Sequence, residues 1–116
     1  MPASTSLSPP LLTKAHTLAN TPWCPDYEKM ISGMLYNCLA PELVRGRFRA
    51  RRLCHVYNTY FPTTDDATPE SLEGERFGML KAMLGRVGEG AFVEPPLTLD
   101  YGCNVLVGER FYANFK

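Results

Sequence analysis

Four cysteines, two histidines and a cluster of arginines give this chain most of its chemical scope. The cysteines, Cys24, Cys38, Cys54 and Cys103, stand 14, 16 and 49 positions apart, with no C-x-x-C pair and no histidine at a metal ligand's spacing. That pattern predicts neither a zinc site nor a disulfide framework, so the thiols are expected to act as small apolar residues. Arg45, Arg47, Arg49, Arg51 and Arg52 place five guanidinium groups in eight residues, a density that could hold phosphates. On a helix, however, five such groups spread over several faces, and no aromatic stacking platform accompanies them. The expectation is a solvated helix surface with one buried member, and no nucleic-acid partner. Arg47 is that member, because Leu43, Arg47, Ala50, Cys54 and Tyr57 recur at spacings of four and three.

The elements that would carry these residues follow from proline, glycine and the apolar pattern. Residues 1–25 are rich in Ser, Thr, Ala and Pro and predict a disordered tail. It has neither the charged start and continuous apolar stretch of a signal peptide nor the arginines of a mitochondrial leader. Asp26, after Pro25, is the expected N-cap of a first helix carrying Ile31, Met34 and Leu35, weakened by Gly33. Pro41 suits the first turn of a second helix reaching about Tyr57, and residues 58–68 read as a loop. Thr68, Pro69 and Glu70 supply a cap, a first-turn proline and an early acid for a third helix, which Gly85 stops.

At 116 residues the chain allows one domain at most, with a small core. Twelve basic side chains balance twelve acidic ones, which argues against a nucleic acid or an anionic membrane as a bulk electrostatic partner. No apolar run approaches a membrane span, and the sparse cysteines fit a reducing, cytoplasmic setting. Beyond Ala91 the pattern changes. Val93, Leu99, Val105 and Phe111 are six apart, as are Gly102 and Gly108. This period fits neither an isolated helix nor a hairpin, but it is that of hexapeptide-repeat β-helices. The expected fold is therefore α+β: N-terminal helices over residues 26–87, then the first, incomplete coil of a parallel β-helix over residues 91–116.

Several stretches together resemble the maltose and galactoside O-acetyltransferases. They are Glu28 to Asn37, Leu43 to Arg51, His55 to Asn58, Val87 to Gly90, Val93 to Pro96, Asp100 to Asn104 and Val107 to Phe115. The resemblance implies that the β-helix is left-handed, and that an acetyl group passes from acetyl-CoA to a hydroxyl of a sugar-like acceptor, in a homotrimer with active sites between subunits. A histidine would act as base, since a hydroxyl is a weak nucleophile until its proton is removed. By the same resemblance Arg47, Asp100, Tyr112 and Asn114 would line the acceptor site, with Asn114 offering both donor and acceptor groups to a polarised oxygen. Zero net charge fits an uncharged acceptor.

Two positions depart from the family pattern: Cys38 stands where some members carry an acidic sugar-binding residue, and Lys116 where Asn or Asp is usual. His16 falls in the expected tail and His55 matches a non-catalytic helix position. The catalytic histidine and the coenzyme site are thus expected beyond Lys116, and the chain is expected to be truncated and inactive alone. A second reading makes it a non-catalytic module that pairs with a full-length acetyltransferase.

Overall fold

The computed structural model describes residues 2–114. Four helices come first: α1 (Pro9–Ala15), α2 (Pro25–Ile31), α3 (Pro41–Thr59) and α4 (Pro69–Met83). Four two-residue strands follow: β1 (Arg86–Val87), β2 (Phe92–Val93), β3 (Leu106–Val107) and β4 (Tyr112–Ala113). Phe115 and Lys116, which end the expected repeat and include one departure from the family pattern, lie outside the described residues.

Each helix opens on proline, whose fixed φ suits the first turn and whose missing N–H would have no partner there. Thr68 and Ser71 form a reciprocal cap on α4: the Ser71 N–H donates to the Thr68 hydroxyl at 3.0 Å and the Thr68 N–H to the Ser71 hydroxyl at 2.9 Å. On α2 the cap is Cys24, whose Sγ accepts the Tyr27 N–H at 3.4 Å. Asp26, expected in that role, lies inside the first turn and accepts the Asn37 N–H at 2.9 Å. The helix ends at Ile31, with Gly33 left-handed at φ 77°, so Met34 and Leu35 are not part of it.

The segment expected as a disordered tail also carries structure. Pro9 and Pro10, which read as breaks in a short apolar patch, occupy the first turn of α1. Ala15 at its end is buried with Cys24, Tyr27, Ala40, Leu43 and Cys103, and Trp23, Met30, Ile31 and Tyr101 pack against this cluster. A second cluster joins Cys54, Tyr57, Leu80, Met83, Leu84 and Val93 beneath the strands. Helix α3 runs through both, contributing Leu43 at one end and Cys54 and Tyr57 at the other, with buried Ala50 between them.

The strands correct the expectation of a β-helical coil. β1 pairs in parallel with β3, Arg86 facing Leu106 and Val87 facing Val107. β2 pairs in parallel with β4, Phe92 facing Tyr112 and Val93 facing Ala113. These are two separate two-stranded sheets, and neither curls or closes into a helical coil. The fold is α+β with a few short parallel strands. Nor do the apolar positions six apart form one buried row: Val93 is buried and Leu99 half-buried, but Val105 and Phe111 are exposed. A repeated row is buried only when a neighbouring unit stacks on it. Sheets of two strands supply no such neighbour for Val105 and Phe111.

The turn carrying Asp100 to Asn104 is held against the end of α4 by backbone contact. The Gly85 N–H donates to Gly102 O at 3.2 Å and Val105 O at 3.0 Å. Gly102 has φ 70°, and a Cβ there would meet Met83 O at 2.2 Å. Only glycine permits both that conformation and that approach.

Candidate acceptor site

Arg47 lies on the apolar stripe of α3, between buried Leu43 and Ala50, and its side chain reaches out of the core rather than into it. Nη1 donates to the Tyr101 hydroxyl at 2.6 Å and Nη2 to the Cys38 carbonyl at 2.8 Å. Two partners at different ends of the group fix the guanidinium plane, and its Cζ lies 5.8 Å from the centroid of the Tyr101 ring. The hydrogen bond to Tyr101 is the main reason that its pKa lies above the ordinary arginine value, so this charge is permanent. Helix α3 supplies the arginine, the α2–α3 connection the carbonyl, and the glycine-pinned turn the phenol.

Asp100 precedes Tyr101 on that turn. Its Oδ1 lies 3.3 Å from Arg51 Nη2, with the two side chains 68% and 70% exposed, and this is the one ion pair among the described residues. Such a pair is loosely held and readily displaced. Arg47 and Asp100 are therefore brought to one region of the surface, with Arg51 beside them.

Tyr112 and Asn114 form a second pair at the β4 end. The Tyr112 hydroxyl donates to Asn114 Oδ1 at 2.8 Å, and the Tyr112 ring stacks on Phe92 across the sheet with centroids 5.8 Å apart. Among the described residues no hydrogen bond or ion pair joins this pair to Arg47 and Asp100. His16 stacks on Trp23 at 4.0 Å, and His55 is exposed on α3. Neither has a hydrogen bond to Tyr112 or Asn114 among the described residues.

A groove of about 450 Å³ lies along α3, lined by Val44, Arg47, Phe48, Arg51 and Arg52. Phe48 is 67% exposed and the Arg52 guanidinium lies 6.0 Å from its ring centroid. An aromatic face thus accompanies the arginine cluster after all, because Val44, Phe48 and Arg52 are four apart and share one helix face. A second cleft, of about 350 Å³, opens between α1 and β3 beside Tyr27 and Asn104. The Tyr27 hydroxyl donates to Asn104 Oδ1 at 3.0 Å, and burial, with a smaller contribution from Cys103, pushes its pKa up.

Tyr101 and Arg51 are the participants that sequence reasoning missed. Tyr101 is 54 positions from Arg47, and no local signal links them. Arg51 was legible only as one of five similar arginines; the order of Asp100 next to Tyr101 is what brings it to a carboxylate.

Residues 29–88 match the family described as the maltose acetyltransferase hexapeptide capping motif. A putative acetyltransferase of Dictyostelium discoideum is 40% identical over 88 residues, covering 76% of this chain and 41% of that protein. The galactoside O-acetyltransferase of Escherichia coli is 33% identical over 92 residues, covering 79% of this chain and 41% of the enzyme. Among solved structures, a galactoside acetyltransferase in complex with coenzyme A superposes with a TM-score of 0.62 at 32% identity, over 79% of this chain and 42% of that one. The chain thus spans about two fifths of the length of these relatives.

Proposed function

The chain belongs to the hexapeptide acetyltransferase family of the maltose and galactoside type, and from that premise we propose that it forms the acceptor side of an O-acetyl transfer. In this reading acetyl-CoA is the acetyl donor, a hydroxyl of a sugar-like molecule is the acceptor, and Arg47, Asp100, Tyr112 and Asn114 line the acceptor site. The observation that carries it is Arg47. A guanidinium emerging from a buried stripe, clamped by a phenol at 2.6 Å and a carbonyl at 2.8 Å, is a preorganised donor for ligand oxygens. Asn114 adds an amide: with Oδ1 engaged by Tyr112, its Nδ2 can donate to an acceptor oxygen.

The family's chemistry needs two further parts, a base and a groove for the thioester. Tyr112 and Asn114 are both exposed on an open strand end, so the described residues do not build an enclosure for a coenzyme arm. We place the base and the coenzyme groove outside these 116 residues, and trimeric assembly, which the resemblance implies, belongs to the same proposal. One observation favours the second reading, a module that pairs with a full-length relative: β3 and β4 each have a single neighbour, which leaves one edge of each free among the described residues.

Titration of the isotopically labelled chain with a methyl galactoside tests the acceptor reading. The expected result is shift changes at Arg47, Tyr101, Tyr112 and Asn114, with no consumption of acetyl-CoA by the chain alone. Acetyl transfer by the purified chain would overturn the placement of the base outside it. Saturable changes confined to other residues would overturn the acceptor assignment.

A further inference from the structure

We propose that the acceptor carries an anionic group, and that the groove of Arg47, Arg51 and Arg52 over Phe48 receives it. The proposal rests on the acceptor reading above and names the class of molecule: a hydroxyl compound, sugar-like in its ring, bearing a carboxylate, sulfate or phosphate.

The argument starts from where charge sits. The chain is neutral overall, yet α3 holds five arginines against one glutamate, Glu42 in its first turn, while residues 60–75 hold five acids and no base. Neutrality is thus a sum over segregated segments, and the uncharged acceptor it suggested does not follow. Locally, three guanidinium groups line the groove and Asp100 is the single carboxylate paired with any of them. Three cations and one anion leave the groove with an excess of two positive charges.

The geometry suits an incoming anion. Arg47 is held in place by Tyr101 and the Cys38 carbonyl, so its charge is fixed at one end of the groove. Arg52 rests over the Phe48 ring, which positions the far charge without neutralising it. Arg51 is held only by an exposed pair with Asp100, which a second anion can replace at little cost. Val44 and Phe48, 41% and 67% exposed, offer an apolar wall for the C–H face of a ring. All five lining residues stand on α3, so the groove is an open lane along one helix face in which the arginines reach an anion from one side. Forked guanidinium donors match carboxylate, sulfate and phosphate oxygens better than they match a neutral hydroxyl.

The test compares two probes with the same ring that differ only at the exocyclic C6, a carboxylate in p-nitrophenyl β-D-glucuronide and a hydroxymethyl in p-nitrophenyl β-D-glucoside, by calorimetric titration of the full chain. The expected result is that the glucuronide binds about tenfold more tightly at low salt, and that raising ionic strength narrows this preference. Arg52→Gln should bring the glucuronide down toward the level of the glucoside, with a much smaller loss for the glucoside, whereas Arg47→Gln should weaken both by a similar factor. Equal binding of the two probes, with Arg47→Gln still weakening both, would overturn the anionic acceptor and leave the acceptor reading standing. Binding of neither probe would overturn both. A glucuronide preference untouched by Arg52→Gln and Arg51→Gln would overturn the groove. Tight, steeply salt-dependent binding of a DNA duplex that excess glucuronide cannot displace would assign the arginines to phosphate backbones instead.

Discussion

A methyl group added at Gly102 should be among the most damaging small changes this chain can suffer. Gly102 combines two demands, a left-handed φ of 70° and a Cβ position only 2.2 Å from Met83 O. The other glycines separate them. Gly33 has φ 77° but open space, so Gly33→Ala isolates the backbone cost, about 1 kcal/mol. Gly108 has neither demand, so Gly108→Ala should be within about 0.5 kcal/mol of the parent. At Gly102 an ordinary contact of about 3.4 Å would require the turn and the α4 terminus to part by about 1 Å. Overpacking of this kind costs about 1–3 kcal/mol, so Gly102→Ala should lose about 3 kcal/mol in all. Urea unfolding followed by circular dichroism measures the series, with the slope expected to stay constant so that the midpoints report stability. If Gly102→Ala proves no worse than Gly33→Ala, the close approach of the turn to α4 is refuted. With it falls the account of how Tyr101 is held beside Arg47.

Tyr57→Phe should destabilise the chain by about 1–3 kcal/mol, because the fully buried Tyr57 hydroxyl donates to Val93 O at 2.5 Å and no other partner replaces it; a urea midpoint unchanged from the parent would contradict this. Burial raises the Cys54 and Cys103 thiols above their ordinary 9.0 and Tyr57 above its ordinary 10.0. The unfolded chain therefore loses these protons first, and stability should be level below about pH 8 and fall as pH rises past about 9. Thermal melts across that range should show the decline, and a flat profile to about pH 11 would refute it. Arg51→Gln should change stability by less than about 1 kcal/mol, since its pair with Asp100 is exposed on both sides. Tyr101→Phe should cost several-fold in acceptor affinity, with the urea midpoint little changed, because it removes the Nη1 partner and frees the Arg47 plane.

What could be read from the sequence is what local chemistry decides. Pro41, Thr68 and Pro69 mark helix starts because a first turn is stabilised by its own residues, and α3 and α4 begin where those residues stand. The stripe Leu43, Ala50, Cys54 and Tyr57 is buried as its spacing requires. Helix α1 was not legible: proline next to proline in a Ser- and Thr-rich stretch reads as unfolded, and what fixes it is the packing of Ala15 against Cys24 and Tyr27, a contact between segments. Cys24 as a cap was missed for a different reason, since a thiol is a weak acceptor seldom used in that role. In the β region only Val93 of the four apolar positions six apart lies inside a strand, and the closure that the period suggested depends on neighbours that a period cannot supply. At the candidate site Arg47 stood out from its stripe, while its partner Tyr101 lay too far along the chain to be inferred.

The length of α3 has a consequence for how this protein comes apart. At 1.5 Å per residue its 19 residues form a rod of about 28 Å, half of the molecule's 55 Å long dimension. Because Leu43 anchors one apolar cluster and Cys54 and Tyr57 the other, neither cluster can open alone without fraying the helix that they share. The two halves are therefore a single cooperative unit, and the slowest amide hydrogen exchange should run unbroken from Leu43 to Tyr57 rather than fall into two separate sets.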